Sequence, residues 1–242
     1  MKRKALIIYC TDTPSGELNG PIYDCRNMTA YLTSCLGGAW ESNEIIPLHN
    51  PTIGKVRSVI KNEFQDLDYS MVLFSGHGFI NTEDGCQYLE MMDGDAIINI
   101  LKTGAPRQTA IIDACRGYER AISDSTLKMF SAMNESDDSV KKKICRQLFD
   151  DRVMEAERGI SVLYSASENE SSVDTPKGAV YISSLIAACK EWEKNDSLLH
   201  VLSIKGAHLR AIDYMNRHFM TDQNPRMAEE KRRRYFPLAI KG

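Results

Sequence analysis

The chain has 242 residues, 43% hydrophobic and 26% charged, enough to bury the core of one large α/β domain or of two small ones. A formal net charge of −3 gives no reason to expect a nucleic-acid or anionic-membrane partner, and no apolar run approaches the roughly 20 residues that span a bilayer. The seven cysteines are irregularly spaced and form no Cys-x-x-Cys pair. That pattern argues against a zinc site, a metal-binding scaffold or a disulfide framework, and reduced thiols in the cytoplasm are the expectation.

Met1-Lys2-Arg3-Lys4 is basic like the start of a signal peptide, but Ala5–Cys10 is too short for an apolar signal core and reads as a first strand. Thr11–Gly20 is rich in turn-forming residues and reads as a loop. Met28, Tyr31, Leu32 and Cys35 lie on one side of a predicted helix, Asp24–Leu36. A short strand at Glu44–Leu48 precedes a helix capped by Thr52 and running to Phe64. Tyr69–Ser75 is a buried strand, Gln87–Met91 a short extended piece and Asp95–Leu101 a short helix. Thr109–Asp113 is another buried strand. Gly117–Glu157 is long and charged, Ser/Asp-rich at first and helical over Lys141–Glu157. A connection of that length is usually functional or disordered. Gly159–Ala166 returns as a strand, Ser167–Pro176 as a loop, and helices are predicted over Gly178–Trp192 and Leu199–Phe219. Tyr235–Ile240 closes the chain as a strand, after a basic stretch, Lys231–Arg234, that reads as a solvated loop or helix end. Alternating strands and helices imply a mainly parallel sheet covered on both faces, with ligands at the carboxyl ends of its strands.

Two of those strand ends carry reactive groups. Met71-Val72-Leu73-Phe74 runs into Ser75-Gly76-His77-Gly78, and Thr109-Ala110-Ile111-Ile112 runs into Asp113-Ala114-Cys115-Arg116-Gly117. A thiol and an imidazole at neighbouring strand ends are the minimum equipment for acyl transfer by a cysteine nucleophile. His77 would take the thiol proton of Cys115 and return it to the leaving amine. The N–H groups of Gly78 and Cys115 are candidates for holding the oxyanion.

In this order and spacing the two runs resemble the caspase-like cysteine peptidases, whose signature has a glycine-flanked cysteine with a histidine upstream. Asp113, two residues before the cysteine, and Leu18-Asn19-Gly20-Pro21-Ile22-Tyr23-Asp24 bring the chain closest to the metacaspase and orthocaspase group. The resemblance implies a three-layer caspase-like α/β fold forming a single domain over residues 1–242, with 117–157 in the place of the family's intersubunit linker. It implies a thioacyl-enzyme mechanism, with Asp24, Ser75 and Asp113 lining a pocket for Arg or Lys on the acyl side of the cut bond. Two carboxylates in a partly desolvated slot suit a guanidinium or ammonium. Asp24 read alone is equally a helix N-cap. Ser167-Glu168-Asn169-Glu170-Ser171, Gly178-Ala179-Val180-Tyr181, Gln223-Asn224-Pro225 and Phe236-Pro237-Leu238 resemble later segments of the family.

Lys141, Lys142, Lys143, Arg146 and Arg152 are candidate self-processing positions for an enzyme that cuts after basic residues. The expected partner is a protein substrate, with a regulatory partner protein and the choice of monomer or homodimer left open. No organic or redox cofactor is implied. Calcium activation, known among relatives, would have to use Glu83, Asp84 and Glu90, which form no dense cluster. By analogy, roles in regulated cell death or defence are expected. Two alternatives stay open: cleavage after Asp or Asn, and a caspase-shaped interaction module without activity.

Overall fold

The computed structural model describes residues 1–117, 139–175, 177–195, 200–229 and 232–242. In chain order the elements are β1 (Arg3–Tyr9), β2 (Asp12–Thr13), β3 (Gly16–Glu17), α1 (Gly20–Thr33), β4 (Ile45–His49), α2 (Ile53–Glu63), β5 (Tyr69–Ser75), β6 (Gly78–Ile80), β7 (Gln87–Met91), β8 (Gly94–Ile97) and β9 (Arg107–Asp113). They continue with α3 (Ser139–Glu155), β10 (Gly159–Tyr164), β11 (Asp174–Thr175), β12 (Gly178–Ala179), α4 (Val180–Asn195), β13 (Val201–Ser203), α5 (Ile204–His218), β14 (Arg226–Glu229) and β15 (Pro237–Ile240).

The main sheet has the order β14-β10-β9-β5-β1-β4, parallel throughout except for β14. Its inner strands are apolar on both faces because both faces are covered, and side chains alternate between two cores. Ala5, Ile7, Met71, Leu73 and Ile111 pack with α1, α4 and α5 residues such as Met28, Leu32, Trp192 and Ala211. Leu6, Ile8, Val72, Phe74 and Ile112 pack with Val56 and Val59 of α2 and with Leu89 and Met91 of β7. From β1 the chain goes outward to β4, then crosses to β5 on the other side, so the sheet reverses direction between β1 and β5. Crevices for ligands form at such a reversal, beyond the carboxyl ends of the strands.

The expected layers are present; the short pieces differ. The predicted loop 11–20 contains the β2–β3 hairpin. The predicted helix Asp95–Leu101 is β8 followed by a single 3₁₀ turn, because Gly94–Ile97 pairs with β7. Residues 201–203 form a strand before helix α5 begins, paired with β15 in a two-stranded sheet apart from the main one. Strand β14 lies where no strand was predicted. The Gly117–Glu157 connection ends in α3, and its residues 118–138 lie outside the described residues.

The reading of the cysteines needs correction in one respect: Cys35, just past α1, and Cys145 on α3 form a disulfide, with Cα atoms 5.4 Å apart across a sequence separation of 110. Their spacing gave no hint, since the pairing arises only when α3 folds back against the end of α1. Beside it, Arg3 is buried at the start of β1. Its guanidinium reaches Asp150 of α3 at 2.8 Å and the carbonyl of Gly38 at 2.8 Å, and stacks 4.4 Å from the Trp40 ring. Arg146 grips Glu44 with two bonds, at 2.8 and 2.5 Å. No helix among the described residues is long and apolar enough to cross a membrane.

Candidate active site

Sheet register brings the two reactive runs together. Ser75 of β5 is paired with Asp113 of β9, so His77 and Cys115 each lie two residues beyond that pair. Pairing continues past them: Gly76 N donates to Asp113 O at 3.1 Å and Ile80 N to Gly117 O at 3.0 Å. The end of β1 joins from the other side through Cys10 N to Ser75 O, 2.9 Å. His77, Cys115, Ser75 and Asp113 line one cavity together with Leu18, Pro21, Ser172, Asp174 and Ala179. It measures about 20 Å³, room for roughly one water. A larger groove of about 750 Å³ between α2 and β7–β8 holds none of the predicted site residues.

The glycines have steric reasons. A Cβ on Gly78 would come within 2.8 Å of the Tyr88 carbonyl oxygen and 3.4 Å of that of Cys115, so only glycine lets β6 pass this close to the cysteine. Gly20 of the Leu-x-Gly-x-x-x-Asp run packs directly on the Asp174 carboxylate, where a Cβ would collide. Gly178 has a φ of +115° and faces Asp24 in the same way.

Asp24 is not an N-cap. Helix α1 begins at Gly20 with Asn19 before it, which puts Asp24 inside the helix and fully buried. Its Oδ2 accepts from the Ser75 hydroxyl at 2.7 Å and its Oδ1 from Ala179 N at 2.9 Å. Asp113 accepts at Oδ1 a very short bond from the Ser172 hydroxyl. Among the described residues its Oδ2 has no hydrogen-bond partner of normal geometry. Asp174 was not singled out from sequence. It is the third carboxylate of the group and accepts from its neighbour Thr175 N at 3.2 Å and from Gly20 N. The signal that could have found it is its place in the loop after β10, at the carboxyl edge of the sheet beside the cysteine.

Burial raises all three acids. Asp24 is pushed well above the ordinary carboxylate range by burial and then by the charges of Asp113 and Asp174. Asp113 is pushed up to about 7 by burial, with Asp174 adding repulsion against the bond from Ser172. Asp174 is pushed up to about 6 by burial. Among the described residues, no lysine or arginine lines the cavity. The site is therefore short of positive charge.

Cys115 is 7% exposed and His77 8% exposed. Burial pushes the Cys115 thiol up, helped by Asp113 and Asp174 and opposed by bonds from Ser172 and Ser171. Burial pushes the His77 imidazole down, opposed by Glu90. Both shifts favour a neutral thiol beside a neutral imidazole, an arrangement suited to proton transfer during attack. The loop after β10 is pinned across the cysteine. Arg116 N donates to Glu170 O and Asn169 N to Arg116 O, both at 2.8 Å, and the Ser172 carbonyl lies 4.0 Å from Cys115 Sγ. Gln223 fixes the loop from behind, bonding Val173 N at 3.1 Å and Ser165 O at 2.7 Å.

The other predicted positions lie elsewhere. Lys141, Lys142, Lys143, Arg146 and Arg152 are all on helix α3, on the opposite edge of the sheet. Of the calcium candidates, Asp84 already accepts from Cys86 N and Tyr88 Oη, both at 2.9 Å, and Glu90 is buried. Among the described residues no group of three or more His, Cys, Asp or Glu side chains is arranged to hold a metal ion.

A parallel α/β sheet with a cysteine and a histidine at adjacent carboxyl ends defines a class, the cysteine peptidases of caspase type. The caspase-domain peptidase family matches residues 2–236, nearly the whole chain. The chain belongs to that family. Comparison with curated proteins gives no match.

Proposed function

We propose that the protein is an endopeptidase that cuts after Arg or Lys, with Cys115 as nucleophile, His77 as acid and base, and specificity of the metacaspase and orthocaspase kind. The observation that carries this reading is the cluster of Asp24, Asp113 and Asp174 near Cys115, three carboxylates with raised pKa values. Asp113 and the half-buried Asp174 line the cavity, the fully buried Asp24 sits behind Ser75 of that lining, and no Lys or Arg among the described residues lines it. A guanidinium or ammonium would supply the missing charge, whereas an aspartate side chain would add a further negative one.

In the first step the Sγ–H proton passes to the His77 imidazole as sulfur bonds to the carbonyl carbon. The oxyanion is held by backbone N–H groups, with those of Gly78 and Cys115 as candidates. His77 then protonates the leaving amine as the C–N bond breaks, leaving a thioester that water hydrolyses with His77 as base. A bound cation has a second effect. By neutralising Asp113 and Asp174 it removes repulsion that raises the Cys115 thiol, so the right side chain makes the nucleophile easier to ionise. Admitting that side chain requires the Ser172 hydroxyl to leave Asp113, since the cavity is far smaller than an arginine.

Self-processing at Lys141, Lys142, Lys143, Arg146 or Arg152 is part of the reading. All five lie in α3, so cutting there would first require unwinding that helix, and at Arg146 and Arg152 it would also break the ion pairs with Glu44 and Glu155. Calcium activation, a regulatory partner and a role in cell death or defence are compatible with this activity.

Fluorogenic peptides differing only in the residue before the cut, with Arg, Lys, Asn and Asp in turn, test the specificity. Cleavage confined to Arg and Lys and absent in Cys115→Ala supports it. Preference for Asp or Asn, or turnover that survives the substitution, overturns it.

A further inference from the structure

One buried charge beside the histidine has no part in the chemistry described so far. Glu90 is on β7, and only 1% of it reaches solvent. A carboxylate so buried is costly unless its oxygens are held. Here Oε2 accepts from Thr13 Oγ1 at 2.9 Å and Ser15 N at 3.2 Å, and Oε1 from Ser15 Oγ at 2.6 Å. These bonds tie β7 to the β2–β3 hairpin, which leads directly into Leu18 and Pro21 of the cavity. The Glu90 backbone N–H donates to the His77 carbonyl at 3.0 Å. One residue thus joins the histidine, the hairpin and a fixed negative charge.

We propose that Glu90 is a positioning residue for His77. It anchors the histidine's segment against the hairpin, and its charge stabilises the imidazolium formed when Cys115 gives up its proton. The proposal rests on the reading of Cys115 and His77 as nucleophile and base. In the step concerned the S–H bond breaks, its electron pair stays on sulfur, and the proton moves to a ring nitrogen of His77.

The groups that bear on His77 can be named from each element around it. Glu90 faces it from β7 and opposes the effect of burial on the ring. Cys10, at the end of β1, is pushed up to about 12 by burial and by Glu90, so it stays neutral. Cys115, Asp113 and Asp174 share its cavity from the β9 end and the loop after β10. Among these, Glu90 is the negative charge whose effect on His77 is resolved, and Asp113 and Asp174 act on Cys115.

The test is the pH dependence of Cys115 alkylation by iodoacetamide in the full chain, which reads the thiolate without reference to peptide specificity. Glu90→Gln keeps the shape and removes the charge. It is expected to move the acid limb of the profile to lower pH by about 0.5–1 unit and to lower the plateau several-fold. Glu90→Asp keeps the charge one methylene further back, and its midpoint should fall between those of wild type and Glu90→Gln. It also serves if the glutamine variant does not fold. With peptide substrate, kcat should fall about tenfold in Glu90→Gln with KM unchanged.

An acid limb that stays at the wild-type midpoint in both variants overturns the proposal, since a purely structural role would lower the rate without moving the limb. A wild-type limb that does not depend on His77, shown by an unchanged profile in His77→Ala, overturns the dyad reading and this proposal with it. A His77-dependent limb untouched by Glu90 overturns the proposal alone.

Discussion

Two clusters of buried charge sit at opposite edges of the same parallel sheet, and they differ in balance. At the amino edge, where β1 begins, Arg3 meets Asp150, Arg146 meets Glu44, and the N-terminal amine lies 3.6 Å from Asp150. With Glu41, 4.0 Å from Arg146, three cations face three carboxylates. Burial still raises Asp150 against the charges of Arg3 and the amine, whereas bonds to Arg146 and the charge of Arg3 leave Glu44 below its ordinary pKa despite burial. At the carboxyl edge, Asp24, Asp113 and Asp174 converge on hydroxyls and amides, and all three rise. The first cluster is complete within the chain and ties α3 to the sheet. The second has no Lys or Arg among the described residues that line the cavity, and that cavity is the one Cys115 and His77 share. A balanced cluster reads as a structural device; an unbalanced one in a cleft is a candidate recognition site, as proposed above.

That contrast can be broken from either side. Arg3→Ala leaves Asp150 buried without its guanidinium and should lower stability by about 3–5 kcal/mol, read by urea unfolding, while the ratio of Arg to Asp cleavage stays as in wild type. Asp113→Asn should do the reverse. Cleavage after Arg should fall about 10²–10³-fold in kcat/KM, as expected when one partner of a buried charge pair is lost, with the fold intact by circular dichroism.

A smaller effect follows from pH. The unfolded chain's aspartates titrate near about 3.9, whereas Asp113 titrates at about 7 and Asp174 at about 6 in the folded protein. A raised pKa means that the folded state holds these protons longer. Their contribution to stability is fully present below pH ~4 and is lost as pH rises through the folded values. Asp113→Asn and Asp174→Asn should therefore raise Tm at pH 8 by about 3–6 °C and leave it nearly unchanged at pH 4. An equal gain at both pH values would mean that the acids are not strained by their charge.

The least effect concerns the amino edge and the connection. The Cys35–Cys145 disulfide lies beside the balanced cluster, and Cys145 follows Lys141–Lys143 in sequence. Self-cleavage anywhere between Cys35 and Cys145 should yield two fragments that separate on a gel only with reductant. Fragments that separate without it would place the cut after Cys145, at Arg146 or Arg152, through the structural cluster itself.

The sequence carried the long elements and the positions of the two reactive runs at strand ends, because both are local. Apolar runs such as Tyr69–Ser75 and Thr109–Asp113 can only be buried strands, and the small residues that end them mark where a side chain is presented. Long-range pairings were not legible. Asp174 joins Asp24 and Asp113 only because the loop after β10 folds over the cysteine. Cys145 reaches Cys35 only through the return of α3. Glu90, taken from sequence as a loop acid that could face calcium, is buried because β7 pairs with β6 and the hairpin closes over it. Asp24 shows a different case: local propensity suggested a cap, and the residue instead lies inside α1, fully buried.

The most direct test compares two peptides identical except for arginine or citrulline before the scissile bond, which share shape and differ in charge. The account predicts that wild-type protein cleaves the arginine peptide at least about 100-fold faster in kcat/KM, and that Asp113→Asn removes most of that preference. Equal cleavage of the two peptides by the wild-type protein would contradict it.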